Sequence, residues 1–589
     1  VSSVGVAPLL ATVAAAVSEA IERVRPELAG ADPVVRRSDR ADFQSNAALP
    51  LAKKYGLKPG DLAGELAEQL TAEGSTAPVA AAVPSGPGFL NITLTDSVVW
   101  SRIADRLADP RLGIAEAAAG QRIVIDYSAP NVAKEMHVGH LRTTIIGDSL
   151  ARVLGFLGAD IVRANHLGDW GTQFGMLIQY IDEHPDQPWR TDDLADGSSV
   201  SALDSLYKAA RAAFDADPAF ADRSRARVVA LQNGDEPTVA SWNEIVAESE
   251  KAFGAIYDRL GVLLTPEDYT GESFYNPLLA DTVTELLDKG VAIHSDGAVV
   301  IASDTVTGPD GDPAVLMARK SDGGYGYDST DLATIRYRIT ELSADRLLYV
   351  TDSRQALHFQ LVFEAARRAG WLTDTVTVDH VAYGTILGPD GKPFKTRAGG
   401  TVRLMDLLDD AVAAARAVVA DKNPDLPADQ LDAIAEQAGI GAVKYADLST
   451  SRVKDYTFDP QRMTAFGGNT GVYLQYAHAR MCSILRRAGE PLAVTVDTTA
   501  TIEPAERALA LTLDDYGTVV TDVATTLEPH RLAGYLYELA RAFTTFYDTC
   551  PVIGAPEPTR SNRLAVCQLA ARTLAHGLGL LGIAAPARL

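Results

Sequence analysis

The 589-residue sequence predicts an α/β protein with a nucleotide-binding parallel sheet at its centre, a small α+β module before it and an all-helical bundle after it. Three observations predict this. The apolar run RIVIDYSAPN ends in Ser, Pro and Asn and passes at once into the helical pattern HVGHLRTTIIGDSLARVLGFLG, as when a buried strand feeds a crossover helix. Strand-like runs then recur between helical stretches. Beyond DYTFDPQRM they thin out, and long helical periodicities take over.

In chain order, residues 1–115 alternate helical patterns (PLLATVAAAVSEAIERV, LPLAKKYG, DLAGELAEQLTAE) with the extended pieces APVAAAVPSG and GFLNITL. That mixture is the expected α+β module. Residues 116–455 carry the sheet, with DIVRANHLG, AVVIAS, RLLYVTDS and VTVDHVAYGTIL as its further strands. A helix-rich insertion at about 186–272 interrupts it, with VSALDSLYKAARAAFDADPAF and WNEIVAESEKAFGAIYDRLG as its main helical patterns. Residues 456–589 supply the bundle, where YLQYAHARMCSILRRAG and PHRLAGYLYELARAFTTFYDT are the longest patterns.

Composition narrows the function classes. With 47% hydrophobic and 22% charged residues and a mean hydropathy of +0.01, disorder, collagen-like repeats and coiled coil are excluded as the main architecture. No apolar run approaches the roughly 20 residues needed to span a bilayer. The start, VSSVGVAPLL, lacks a signal-peptide pattern, so no membrane association and a cytoplasmic location are expected. Cys482, Cys550 and Cys567 have neither CxxC spacing nor a histidine at zinc-finger distance. The net charge of −24 argues against indiscriminate nucleic-acid binding. Its distribution is uneven: from Tyr456 onward there are eleven Arg, no Lys and twelve acidic residues, so the acidic excess belongs to the first 455. The nearly neutral end carries its positive charge as arginine, which suits local phosphate contacts.

The chemistry concentrates in residues 128–142, SAPNVAKEMHVGHLR. His137 and His140, three apart at a helix start, share one face with the free backbone N–H groups and the positive end of the helix dipole. Such a place binds an anion, and a triphosphate fits it best. Gly139 between them would let a base or ribose approach the backbone. On the HxxH spacing alone, a pair of capping histidines is the competing reading, and zinc lacks a third ligand.

HVGH matches the HIGH signature of class I aminoacyl-tRNA synthetases, and the wider string SAPNVAKEMHVGHLRTTIIGDSLARVLGFLGADIVRANHLGDWGTQFG resembles arginyl-tRNA synthetases. GGYGYDSTDLATIRYR, YVTDSRQALHFQLVFEAA, KPFKTRAGGTVRL, VKYADLSTSRVKDYTFDPQRM, GNTGVYLQYAHAR, DFQSNAALPLAKKYG and GPGFLNITL are similar to the same family, in order and over essentially the whole chain. The resemblance implies a Rossmann-type catalytic domain, an N-terminal tRNA-contact domain and a C-terminal anticodon-binding bundle. It further implies ATP-dependent ligation of L-arginine to its tRNA through an arginyl adenylate. ATP would enter with Mg2+ as substrate, with no permanently bound metal, and tRNA, L-arginine and ATP would be the partners of a monomer.

Carried over residue by residue, the resemblance assigns His137 and His140 to the phosphates, Gly139 to the ATP site and Asn131 to the amino acid. PFKTRA, residues 393–398, stands for the KMSKS signature. Pro393 replaces its first lysine, Lys134 takes the compensating place, and Lys395 and Arg397 remain as cations for the leaving phosphates. A solvated basic loop is the plain alternative there. Tyr327 and Asp331, four apart at a helix start, fall on the guanidinium-binding positions, with Asp126 as a second acid. Read without the family, Asp331 is a helix-terminal charge and Tyr327 a half-buried aromatic. Among Gln355, His358 and Gln360, Gln360 is the expected substrate contact, and His358 reads equally as a core or capping histidine. Phe89 and Asn91 fall on the tRNA-elbow contacts, against the plain reading of a buried Phe. In the bundle Tyr473, Tyr476, His478, Arg480, Arg486 and Arg487 mix aromatic and cationic groups, some of them necessarily core.

Overall fold

The computed structural model describes residues 5–72, 78–190, 199–308, 311–388, 390–394, 402–489 and 494–589. Its first strands, β1 (Val35–Arg37), β2 (Phe43–Ser45), β3 (Val79–Ser85) and β4 (Phe89–Leu94), form one antiparallel sheet in the order β1-β2-β4-β3. In β4 every second residue, Leu90, Ile92 and Leu94, points into the core, as a one-sided sheet requires. Helices α1 (Leu9–Val24) and α2 (Pro59–Thr71) close that core. Leu9, Val13, Val17, Ala20 and Ile21 make the buried stripe of α1.

The remaining strands are β5 (Arg122–Asp126), β6 (Asp160–Ala164), β7 (Ile293–Ser295), β8 (Ala298–Thr307), β9 (Pro313–Arg319), β10 (Arg346–Tyr349), β11 (Thr377–His380), β12 (Ile386–Leu387) and β13 (Tyr456–Thr457). The central sheet is parallel throughout and runs β11-β10-β5-β6, with Val124 of β5 opposite Leu347 and Val162. Helix α3 (Val138–Phe156) makes the crossover from β5 to β6. It is buried on most sides, and it packs so closely that a Cβ on Gly147 would lie 2.3 Å from Tyr127. This is the expected nucleotide-binding opening.

AVVIAS departs from expectation. It lies in β8, in a separate antiparallel sheet β7-β8-β9, and not in the parallel sheet. The cause is the two-residue turn Asp296–Gly297, where both residues have positive φ. Such a turn can only join antiparallel neighbours, whereas a parallel strand needs a long crossover.

The insertion is helical as expected: α4 (Ser199–Ala216), α5 (Pro218–Gln232) and α6 (Glu236–Leu260) lead into α7 (Glu272–Asp288). Helices α8 (Tyr327–Thr340) and α9 (Ala356–Arg368) flank the sheet, and α10 (Ala428–Leu448) leads into the C-terminal helices. Among these are α11 (Gly471–Ala488) and α12 (His530–Thr549). Asp514 joins this bundle to the first module. Its carboxylate accepts from the Leu9 N–H at 2.6 Å and from Arg106 Nε and Nη2 at 3.0 and 2.8 Å. No helix among the described residues is long and apolar enough to cross a membrane.

Candidate active site

The start of α3 fixes both histidines. His137 is the N-cap: its Nδ1 accepts from the Gly139 N–H at 3.0 Å, while His140 Nδ1 accepts from the His137 N–H at 3.0 Å. An Nδ1 that accepts cannot carry the proton, so each imidazole holds it on Nε2 as an outward donor. The rings lie 4.0 Å apart. Burial, then the His137 neighbour, presses His140 down to about 3, and burial, then Lys134, lowers His137. Both are neutral donors at neutral pH.

Two expectations change here. The first backbone N–H groups of α3 are not free: Val138 donates to the Val402 carbonyl at 3.0 Å, and His140 donates to the His137 carbonyl at 2.8 Å. An anion at this helix start would therefore meet imidazole N–H groups and the dipole, and not free backbone N–H groups. Gly139 is required by the His137 ring, since a Cβ there would sit 2.8 Å from its Cε1, before any nucleotide is considered. Lys134 is half-buried, and its ammonium sits 4.9 Å from the centroid of the Tyr207 ring of α4. Lys395 and Arg397 lie outside the described residues. Pro393 pairs with Leu387, and Phe394 packs 5.5 Å from Phe458.

A cleft of ≈ 1020 Å³ is lined among others by Asn131, from the segment that leads into this helix, and by Trp170, Trp242, Glu272 and Tyr327. Asn131 bridges to Gly168, where a Cβ would stand 2.4 Å from the Asn131 Oδ1. Tyr327 opens α8 and is 69% exposed, so the half-buried reading fails. Its ring stands edge-on to His358, 5.2 Å between centroids. His358 Nε2 lies 2.6 Å from Asp331 Oδ2, and its Nδ1 lies 3.4 Å from Asp328 Oδ1. Hydrogen bonds and charge from the two carboxylates outweigh burial and push this histidine up to about 9, so it is a cation joining α8 to α9.

Asp126 and Asp331 do not form the open acid pair expected of them. Asp126 Oδ2 accepts from Arg338 Nη2 at 2.7 Å, and both side chains are buried, while Asp331 already faces His358. Gln360, the expected substrate contact, stands on another side of α9 from His358. It lies two residues beyond His358 and so roughly 200° around α9. Gln355, one turn before His358, shares the face that meets Asp331.

Glu272 is the acid that the sequence reading missed. It is the first residue of α7 and points into the cleft, and among the described residues no cation or hydrogen-bond donor engages its carboxyl. Burial, then the nearby Asp169 and Asp331, raises it to about 7. Asp169 itself accepts from the Ser273 N–H and hydroxyl at 2.9 and 2.6 Å. An acid in the first turn of a helix looks like an ordinary dipole partner, which is why GES gave no signal.

Farther away, Phe89 is half-buried and lines a cavity of ≈ 890 Å³ between the first module and the bundle, together with Arg36, Arg40, Gln44 and Tyr535. Asn91 Oδ1 accepts from Gln44 Nε2 at 2.8 Å. In the bundle His478 is core, bonded through Nδ1 to the Pro586 carbonyl at 3.0 Å. Tyr473 meets Tyr537 edge-on, Tyr476 is exposed, and Arg480 stacks 4.1 Å from the Tyr547 centroid. Arg486 donates to the Ala587 carbonyl, and Arg487 is exposed.

Family models match three stretches of the chain. The model "tRNA synthetases class I (R), catalytic domain" matches residues 102–460. An "Arginyl tRNA synthetase N terminal domain" matches 11–94, and a "DALR anticodon binding domain" matches 474–589. An arginine–tRNA ligase of Frankia casuarinae is 69% identical over 582 residues, covering 99% of both chains, and one of Streptomyces coelicolor is 50% identical over 97% of each. Arginyl-tRNA synthetase structures from Plasmodium falciparum and Thermus thermophilus superpose with TM-scores of 0.80 and 0.77 at 28% and 27% identity. They cover 100% and 99% of this chain and all of theirs. The chain belongs to the arginyl-tRNA synthetase family of class I.

Proposed function

We propose a division of labour for the family's reaction, the ATP-dependent ligation of L-arginine to its cognate tRNA through an arginyl adenylate. The arginine carboxylate attacks the α-phosphorus of ATP, which enters with Mg2+, and pyrophosphate leaves in line. No enzyme nucleophile is needed, so catalysis is positioning and charge stabilisation. His137 and His140 donate Nε2–H bonds to phosphate oxygens as neutral groups, and Lys134, Lys395 and Arg397 supply the positive charge. Gly139 keeps room for the His137 ring.

Asn131 orients the amino acid, while Tyr327, Asp331, Gln355 and Glu272 form the side-chain pocket. Asp126 acts from behind it, through its bond to Arg338. Phe89 and Asn91 contact the tRNA elbow, the exposed Tyr476 and the stacked Arg480 belong to the anticodon side, and the enzyme works as a cytoplasmic monomer. The observation that carries this reading is an unmatched carboxyl, Glu272, in one cleft with Tyr327 and with Asn131, which stands six residues before the capped His137. Arginine-dependent pyrophosphate exchange tests it. Exchange should appear only when tRNA for arginine is added, and absence of exchange in its presence would refute the reading.

A further inference from the structure

We infer that Tyr207, on the helical insertion, is a positioning residue that holds Lys134 beside the phosphate site without neutralising it. This rests on reading Lys134 as the cation that serves the phosphates. The ammonium lies 4.9 Å from the Tyr207 centroid, and among the described residues no carboxylate lies within ion-pair distance of it. The acids close by in the chain or the fold have other cations: Glu135 pairs with Arg403 at 3.5 Å and Glu248 with Lys251 at 2.7 Å.

An aromatic face attracts a cation through its quadrupole and carries no net charge. A carboxylate in the same place would hold the lysine equally well but cancel its field at the phosphates. The long stem of lysine gives it wide rotational freedom, so a fixed platform concentrates the ammonium in one region. The platform is itself fixed, because Tyr207 packs against the cluster of Met176, Ala210 and Phe220.

The insertion grips this segment at a second point. The Ala133 N–H donates to Ser249 Oγ of α6 at 3.0 Å, and Ala133 has φ +62°, a left-handed conformation that an L-residue adopts only when its surroundings impose it. The insertion thus fixes the backbone immediately before Lys134 with one helix and the ammonium with another.

The test uses the full-length enzyme with tRNA, in pyrophosphate exchange. Tyr207→Leu should lower kcat roughly 5- to 30-fold, with the KM for arginine and the thermal midpoint unchanged. Tyr207→Phe, which keeps the ring, should restore the rate, and Tyr207→Leu combined with Lys134→Met should be no slower than Lys134→Met alone. If Tyr207→Leu fails to fold, Tyr207→Met carries the same comparison. Wild-type kcat in Tyr207→Leu beside an impaired Lys134→Met would overturn the proposal, as would a full additional loss in the double variant. A wild-type rate in Lys134→Met would instead remove the reading of Lys134 on which it rests.

Discussion

The junction between the N-terminal module and the bundle and the candidate active site both contain charged groups withdrawn from water, and they treat them in opposite ways. At the junction Asp514 is matched on every side: Arg106 donates two bonds to it, Arg102 lies 3.7 Å away, and the Leu9 N–H adds a third donor. The remaining Arg106 nitrogen donates to the Leu112 carbonyl, and Arg507 likewise closes on Asp42 at 2.7 Å. Among the described residues Glu272 in the cleft meets only other acids, and Lys134, on the segment before α3, rests on a ring. A charge that is matched within the chain serves the fold, and one left unmatched serves a ligand that brings the opposite charge.

The largest expected effect is at the junction. Arg106→Met strips Asp514 of the cation that donates to it, leaving only Arg102 at 3.7 Å, and should destabilise the protein by about 3–5 kcal/mol in urea unfolding, because the stranded charge costs more than the pair contributed. If the cost were under about 1 kcal/mol, the junction would not be a matched region at all. At the start of α3, His137→Ala and His140→Ala should each slow adenylate formation by roughly 10²–10³, the cost of losing one preorganised donor, while the melting curves stay close to wild type. Since His140 titrates near pH 3, no rate limb from its protonation should appear between pH 5 and 8.

The smallest effect has the opposite sign from the junction's. Glu272 is raised above the ordinary carboxylate range, so between about pH 4.5 and 7 the folded protein holds a proton that the unfolded chain has released. Without substrate, this group therefore makes stability fall as pH rises through that window. Glu272→Gln should remove that slope and leave the fold equal or slightly more stable at pH 8. A loss of stability in this variant at pH 8 would give Glu272 an internal partner and erase the contrast.

What the sequence made legible follows from how local each feature is. The passage from RIVIDYSAPN into HVGHLR is a change of period within a few residues, so the strand, the crossover helix and the histidines at its cap could be read directly. The β8 strand was recognised as a strand but given to the wrong sheet, because the deciding feature was the turn Asp296–Gly297 and not the apolar run. Charge pairing is harder still. Arg338 reaches Asp126 across 212 residues, and His358 reaches Asp331 across 27, so no spacing rule could show that both acids already had cations. The same non-locality hid Glu272, whose importance is its lack of a partner in three dimensions. Gly139 was legible as a necessary glycine for another reason than the true one: the His137 ring that occupies the space is placed there by the cap itself.

The central claim is that the cleft holds an unmatched carboxyl for the cationic substrate. Titration calorimetry of arginine binding at pH 7, in two buffers of different ionisation enthalpy, measures the protons released. Glu272, titrating at about 7, should lose its proton when the substrate's positive charge arrives. Wild type should release about half a proton per arginine bound, since a group at its own pKa is half protonated. Glu272→Gln should release none and bind arginine more weakly. Equal proton release from the two proteins, or none from wild type, would contradict the claim.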